Sequence, residues 1–401
     1  MGLQVFPAPS GGSSYSSQPP ASASSVLLDG QLVNSLSTST SVTGTGAPWI
    51  LYANGGGPTT ITIAGTPYTI PAGSTVGTSA YTGSQSVTVT APLNTTFTSS
   101  TMPSSGWYCV TYGNGYFVAV APFTTANAYS TNGITWSAST LPSADFWYGI
   151  TYGNGYFVAI ATGTTAAAYS TNGTTWTAST MPSSAGWTAV TYGLVGATPT
   201  YVAVANGPTT AAASSTNGTT WTARTMPSSS NWSGVTYGNG YFVAIATGTT
   251  AGAYSTNGTT WTATTMPSSS NWYSTAYGLI GATNYYVAVA YNTTAGAYST
   301  NGTSWTASTM PNNNWQSVTY GNGKFVAVAY GTTAGAYSTN GTTWTATTMP
   351  SNTAWQSVTY GLVSTTGYFV AVSQSGTTSA YNIFSSLPVA YGIYNGATVR
   401  A

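Results

Sequence analysis

The sequence predicts an all-β chain: a seven-bladed β-propeller of four-stranded antiparallel blades, closed by an N-terminal strand and preceded by a small β-domain. Three observations predict this fold. A tryptophan-led unit recurs seven times, each unit holds four strand-like runs, and the run missing from the last unit stands before the first. The leading tryptophans are spaced 40, 40, 45, 40, 43 and 40 residues apart: Trp107, Trp147, Trp187, Trp232, Trp272, Trp315 and Trp355.

The first unit shows how one repeat becomes four strands. Residues 107–112 are aromatic and β-branched, and residues 116–121 form a continuous apolar run of strand length. The Asn-Gly pair between them favours a tight hairpin turn. A third strand near 126–130 leads to a second Asn-Gly turn, and the fourth strand, 134–138, is expected to stop before Pro142 because proline cannot donate to the ladder.

The length of the first hairpin varies between units. Units one, two, four and six have the short Gly-Asn-Gly turn, whereas units three, five and seven are expected to have longer loops beginning at Leu194, Leu279 and Leu362. Insertions confined to one loop class project from one face of the disc. The three segments are therefore a candidate binding surface, with plain spacers as the alternative.

The ends of the repeat predict how the ring closes. The seventh unit has no final N-G-T-T-W run, but residues 94–103 supply a similar run with Phe97 in the place of tryptophan. An N-terminal strand should therefore complete the last blade and remove the open edges. The predicted organisation is a flexible anchor or linker at 1–25, a small β-domain for attachment or oligomerisation at 26–92, the propeller at 93–388, and a tail or extra strand at 389–401.

The second turn of each unit carries a recognisable motif. Ser130-Thr131-Asn132-Gly133-Ile134-Thr135-Trp136 resembles the Asp-box (BNR) turn, S-x-D-x-G-x-T-W, and the resemblance extends over residues 94–384. Here asparagine replaces the aspartate in every copy and one spacer residue is missing. The resemblance implies a structural turn, as in sialidase-like and many secreted or viral propellers, and assigns no catalytic role to it.

Charge is the second informative feature of the chain. The sequence has no Glu and no His, and charged residues make up 1% of it, against about 25% in ordinary proteins. Nucleic-acid binding through a basic stripe is excluded, and acid–base pairs, paired carboxylates and metal-ligand clusters are missing. We therefore predict no enzyme activity, no cofactor and no metal. The five charged residues are Asp29, Asp145, Arg224, Lys324 and Arg400.

Targeting and cysteine usage add little. We expect no signal peptide, because the N-terminus lacks a basic region and a long apolar core, and no membrane insertion. Cys109 lies in a predicted strand, which favours a buried small hydrophobe over a reactive thiol. A net charge near zero promotes association, so we expect an assembly, with a homo-oligomer as one form of it.

The seven leading tryptophans are the candidate glycan contacts. They begin the strands that should line the central channel, and aromatic faces beside hydroxyls and amides suit sugars. The alternative is that these rings pack between blades and recur because the fold recurs. The candidates are Trp107, Trp147, Trp187, Trp232, Trp272, Trp315 and Trp355.

The combination of a short anchor-like domain and a charge-poor, Ser/Thr/Gly-rich propeller resembles virion proteins of tailed bacteriophages. This resemblance implies a non-enzymatic structural protein of the extracellular particle: a capsid decoration or head-fibre protein, or a tail-fibre-like appendage. Residues 1–92 would bind other capsid or tail proteins, and the propeller would contact host surface glycans. The alternatives are a free multivalent lectin and a cell-surface adhesin or sheath protein.

Overall fold

The computed structural model describes residues 25–28, 31–34, 39–54, 59–70, 74–90, 95–384 and 390–395. The chain forms two compact units: Thr95–Phe384, and a unit made of Met1–Asn94 with Ser385–Ala401. The regular elements of the described residues are all β-strands. Within these ranges, no helix is long and apolar enough to cross a membrane. The predicted all-β class is confirmed.

The smaller unit contains two sheets. Their strands are β1 (Ser25–Leu28), β2 (Gln31–Asn34), β3 (Ser39–Asn54), β4 (Thr59–Ile63), β5 (Thr66–Ile70), β6 (Ser74–Thr90) and β30 (Ala390–Asn395). Strands β1 and β2 form an antiparallel pair, and the other five form a sheet with the order β30-β3-β6-β4-β5. Its buried apolar side chains include Leu51, Ile61, Ile63 and Ile70. Residues 390–395 of the predicted tail pair with β3, whereas residues 1–24 of the predicted linker lie outside the described residues.

The larger unit repeats one antiparallel pattern of inner, second, third and outer strand. We number the blades 1 to 7 from the leading tryptophans, beginning at Trp107. The strands are β7 (Thr98–Thr101), β8 (Cys109–Gly113), β9 (Tyr116–Val120), β10 (Pro122–Ser130), β11 (Ser137–Gly153), β12 (Tyr156–Ala161), β13 (Thr164–Ser170), β14 (Thr177–Val195), β15 (Thr198–Asn206), β16 (Thr209–Ser215), β17 (Thr222–Gly238), β18 (Tyr241–Thr247), β19 (Thr249–Ser255), β20 (Thr262–Ser270), β21 (Trp272–Ile280), β22 (Thr283–Ala290), β23 (Thr293–Ser299), β24 (Thr306–Asn313), β25 (Trp315–Gly321), β26 (Lys324–Ser338), β27 (Thr345–Val363), β28 (Thr366–Ser373) and β29 (Thr378–Asn382).

Several strands continue from one blade into the next. The first part of β11 pairs with β10 as the outer strand of blade 1, and its last part pairs with β12 as the inner strand of blade 2. The expected stop before Pro142 is therefore wrong. The chain stays extended through this proline, and the ladder to β10 becomes irregular instead of ending. The fixed φ of proline is compatible with an extended backbone.

The N-terminal strand closes the last blade, as the sequence predicts. Strand β7 is antiparallel to β29, with pairs running from Thr378–Thr101 to Tyr381–Thr98. Phe97 is buried, and its ring meets Phe384 edge-on at a centroid distance of 6.0 Å. This strand gives blade 7 its fourth strand and leaves no unpaired edge on β29.

The inner strands form a closed ring through one repeated contact. A glycine at or near the end of each inner strand lies against the tyrosine ring of the next blade, so closely that a Cβ on it would meet the ring at 2.0–2.3 Å. The last contact joins blade 7 back to blade 1. The pairs are Gly113–Tyr152, Gly153–Tyr192, Gly193–Tyr237, Gly238–Tyr277, Gly278–Tyr320, Gly321–Tyr360 and Gly361–Tyr112.

The turn between the third and outer strands is held by two side chains. In blade 1, the backbone N–H groups of Asn132 and Gly133 donate to Ser130 Oγ, at 3.2 and 2.8 Å. Asn132 Oδ1 accepts from the N–H groups of Ile134 and Thr135, both at 2.9 Å. The Ser–Asn pattern recurs in blades 2 to 6. The asparagine therefore acts through its carbonyl oxygen as an acceptor.

The three longer first hairpins are not irregular loops. In blades 3, 5 and 7 the ladder extends beyond the glycine of the inner strand, to pairs such as Val195–Thr198 and Val363–Thr366. Tight turns then close them. The three leucines at their bases are about half exposed, at 47%, 49% and 51%: Leu194, Leu279 and Leu362.

Candidate functional site

The start of each inner strand contains a local irregularity. In six blades the register shifts between the leading tryptophan and the residue two positions later, so that the residue between them is extra, as in a β-bulge. A bulge of this kind redirects the side chain of the extra residue. In all seven blades the residue after the tryptophan lines a single cavity: Tyr108, Tyr148, Thr188, Ser233, Tyr273, Gln316 and Gln356.

The cavity therefore lies on the axis of the ring, because every blade contributes one residue to it. Its volume is about 140 Å³, and no charged side chain lines it. In four blades the second residue after the tryptophan also lines the cavity. Two further lining residues end the second strands of blades 3 and 4. These residues are Cys109, Asn206, Thr247, Ser274, Ser317 and Ser357.

Small hydroxyl side chains in this wall join neighbouring blades. Ser233 Oγ donates to the carbonyl oxygen of Trp272 at 2.6 Å, and Thr188 Oγ1 donates to that of Trp232 at 2.8 Å. Ser317 Oγ accepts from the N–H of Val358 at 3.1 Å. These groups are occupied in holding the ring together.

The larger side chains keep hydrogen-bonding capacity. Gln356 Nε2 donates to Gln374 Oε1 at 2.8 Å, while Gln356 Oε1 is buried without a partner. A buried amide oxygen that lacks a partner carries a desolvation cost. The Tyr108 and Tyr148 rings lie together with centroids 4.5 Å apart.

The cavity is electrically neutral. Burial raises the pKa of Tyr108, Tyr148 and Tyr273 above the ordinary tyrosine value; neighbouring tyrosines add to this rise at Tyr108 and Tyr273, whereas the hydrogen bond with Tyr108 opposes it at Tyr148. Burial likewise raises the pKa of the Cys109 thiol. These groups therefore stay protonated at neutral pH and offer hydrogen-bond donors without charge. Among the residues that the structure describes, no three His, Cys, Asp or Glu side chains are grouped to hold a metal ion.

The seven tryptophans that the sequence selected do not line this cavity. Each is 0% exposed: Trp107, Trp147, Trp187, Trp232, Trp272, Trp315 and Trp355. Trp147 packs among Val118 and Val120 of blade 1 and Phe157 of blade 2. Its indole N–H donates to the carbonyl oxygen of Ser143 at 3.0 Å. Rings buried between blades present no face to a glycan. The prediction that these tryptophans contact glycans therefore gives way to the alternative that they pack between blades.

The other candidate surface lies at the far end of the inner strands. Leu194, Leu279 and Leu362 stand at the bases of the long hairpins, where a tyrosine hydroxyl of the next blade donates to each leucine carbonyl oxygen. These leucines are separate from the axial cavity and bring no convergent polar groups. Sequence reasoning missed the residue after each tryptophan, although its variation between otherwise similar repeats was the available signal.

Comparison with known proteins supports the fold. No known protein family matches the chain, and no curated protein matches it. A streptogramin B lyase structure is similar, with a TM-score of 0.61 at 14% identity, covering 72% of this chain and 98% of the lyase. The structure of YCF48 bound to a D1 peptide has a TM-score of 0.55 at 12% identity, covering 74% of this chain and 98% of the YCF48 chain. The Swd1 β-propeller domain from Myceliophteria thermophila has a TM-score of 0.55 at 7% identity, covering 72% of this chain and 100% of that domain.

At these identities the likeness defines the chain as a β-propeller and no more. Another similar structure is virginiamycin B lyase from Staphylococcus aureus, in a catalytically inactive histidine-to-alanine form with quinupristin. Its TM-score is 0.60 at 12% identity, and the match covers 71% of this chain and 98% of the lyase. These lyases correct the prediction that the chain is not an enzyme. The fold is shared with enzymes and gives no reason to exclude catalysis.

Proposed function

We propose that the propeller binds a neutral carbohydrate in its axial cavity. The observation that carries this proposal is the ring of seven uncharged side chains, three of them tyrosines and two glutamines, around one cavity of about 140 Å³. Hydroxyls and amides match sugar hydroxyl groups, and aromatic rings match the apolar C–H surface of a pyranose. A neutral wall favours a ligand that carries no charge, because nothing in it would offset the desolvation of an ion.

The binding site is single, although the fold is repeated. The residue after the tryptophan differs between blades, as Tyr, Thr, Ser or Gln, so the ring makes one asymmetric site and not seven equal ones. This arrangement favours recognition of one sugar unit per propeller over the free multivalent lectin that the sequence left open. The histidine replaced in the inactive lyase has no counterpart, since this chain contains no histidine.

We further propose that the protein is a virion appendage of a tailed bacteriophage, attached through residues 1–92. Support comes from the charge content of 1% and from the Ser–Asn turn, whose acceptor geometry is what an Asp-box-like turn requires. Cryo-electron microscopy of the source particles tests this proposal. Density for the propeller on a capsid or tail would support it, and its absence from every particle would refute it.

The carbohydrate proposal is tested on the full chain with an array of neutral and acidic glycans, followed by calorimetry on the best neutral ligand. Gln316→Leu and Tyr273→Phe each remove polar groups from the cavity wall. We expect each to weaken binding about tenfold, the loss of roughly one hydrogen bond. Leu279→Ala, at the far end of the inner strands, is the control and should bind like the wild type. Unchanged binding by both cavity variants would refute the proposal.

A further inference from the structure

One corner of the propeller departs from the repeat in two places. At the start of its third strand, blade 1 has Phe123 where the register of the ladder shifts, and the segment leading into blade 2 has Phe146 directly before its tryptophan. The other blades have small or amide residues at both places. At the first they are Gly163, Gly207, Gly248, Asn292, Gly331 and Gly376, and at the second Gly106, Gly186, Asn231, Asn271, Asn314 and Ala354.

Phe123 occupies a backbone conformation suited to the residues it replaces. Its φ is +59°, and the six counterparts in the other blades also have positive φ, from +57° to +92°. Glycine and asparagine tolerate this left-handed region, whereas a bulky side chain is strained there. The Phe123 ring is nonetheless 76% exposed, so burial does not compensate for the strain. A strained, exposed aromatic residue points to a role outside stability.

The two rings connect the surface to the cavity. Phe123 and Phe146 have centroids 4.5 Å apart and an interplanar angle of 31°, so they overlap as a tilted stack. Phe146 in turn meets Tyr108 at 5.5 Å and Tyr148 at 5.6 Å, and both tyrosines line the axial cavity. A continuous aromatic path therefore runs from an exposed face to the cavity.

A carboxylate stands beside this path. Asp145 immediately precedes Phe146 and lies opposite Thr124 in the ladder, next to Phe123. Among the described residues it is the only acidic side chain. An ionised carboxylate accepts several hydrogen bonds, which suits the adjacent hydroxyl groups of a sugar ring.

We propose that Phe123 and Phe146 form a second sugar subsite, so that the ligand is an oligosaccharide with one unit in the axial cavity and another stacked on Phe123. This inference rests on the proposed binding of carbohydrate in the cavity. The stacked rings present one open face, which fits the flat C–H surface of a pyranose. A quaternary ammonium group instead prefers separate aromatic walls arranged around it.

The test compares neutral monosaccharides with their linear oligomers on the full-length protein. The probes are glucose, galactose, mannose and N-acetylglucosamine, each free and as oligomers of up to about four units, with choline as a cationic probe. Phe123→Gly restores the residue typical of the repeat and removes the exposed ring. Asn292→Gly is the matched control, because it makes the same backbone change in blade 5 without removing an aromatic ring.

We expect wild-type protein and Asn292→Gly to bind the oligomer about tenfold more tightly than its monosaccharide. Phe123→Gly should lose that gain and keep the monosaccharide affinity. Gln316→Leu should weaken both ligands. Equal affinities for monosaccharide and oligomer in the wild type would overturn the subsite while leaving the cavity proposal standing.

Two other outcomes also overturn the inference. If none of the sugars binds the wild type, the cavity proposal fails and the subsite fails with it. If choline binds and Phe123→Gly abolishes that binding, the corner is a cation site and the carbohydrate assignment is wrong.

Discussion

The contact between Gly153 and Tyr192 gives the sharpest stability prediction. A Cβ on Gly153 would lie 2.0 Å from Cγ of Tyr192 and 2.4 Å from both Cδ atoms. The clash meets the stem of the ring, and the Tyr192 ring is itself packed on Tyr201 at a centroid distance of 5.1 Å. Gly153→Ala must therefore separate two blades. We expect a loss of about 3 kcal/mol in the free energy of unfolding, the upper end of typical overpacking costs.

Gly155→Ala is the matched control two residues along the chain. Gly155 has φ +83° and nothing within 4 Å of its added Cβ, so alanine there meets backbone strain and no neighbour. That strain costs about 1 kcal/mol. Differential scanning calorimetry should show a fall in Tm of about 5 °C for Gly153→Ala and about 2 °C for Gly155→Ala. Equal falls in Tm would refute the claim that close blade contacts hold the ring.

Three further predictions concern the turn, the closure and the cavity. Asn172→Asp should change the free energy of unfolding by less than about 0.5 kcal/mol, because the carboxylate still accepts both hydrogen bonds of the turn. Asn172→Ala loses both bonds and should lower the free energy of unfolding, measured in urea, by about 2 kcal/mol. Phe97→Ala should cost about 3–5 kcal/mol, since a buried ring of the closing strand is lost; a surface-like change below about 0.5 kcal/mol would contradict the closure. Because the pKa values of Tyr108, Tyr148 and Tyr273 are raised in the folded protein, their contribution to the free energy of unfolding should be complete below about pH 10. This contribution should fall as the pH rises further, because the unfolded chain releases these protons at a lower pH than the folded protein does. Thermal melts from pH 8 to 11 measure the fall.

Much of the fold follows from the sequence because a repeated sequence must occupy a repeated environment. The spacing of the leading tryptophans and the place of Phe97 before the first unit were enough to predict the blades and the closing strand. Hairpin lengths were harder to predict. The residues after Leu194 looked like a loop, but β-forming side chains around the Gly196 turn extend the ladder instead.

The tryptophans do not line the channel, as the sequence predicted they would, for a definite physical reason. The tryptophans do begin the inner strands, as expected, but a bulge follows them. Because side chains alternate across a strand, one extra residue changes which side chain faces the axis. Gln316 therefore reaches the cavity while Trp315 stays between blades. Strand propensity alone gives no sign of that extra residue.

The aromatic corner shows a different limit. The departure of Phe123 from the repeat is visible in the sequence, and so is that of Phe146. Their ring contact, at a centroid distance of 4.5 Å, depends on how the start of the third strand of one blade lies against the segment that enters the next blade. Only the packed ring brings these two residues and the cavity tyrosines together.

The decisive measurement is an experimental structure of the full chain with its best-binding neutral oligosaccharide. We expect one sugar unit in the axial cavity within hydrogen-bonding distance of Tyr273 and Gln316, and another unit stacked on Phe123. A saccharide bound at the leucines of the long hairpins, with the axial cavity unchanged, would refute binding in the cavity.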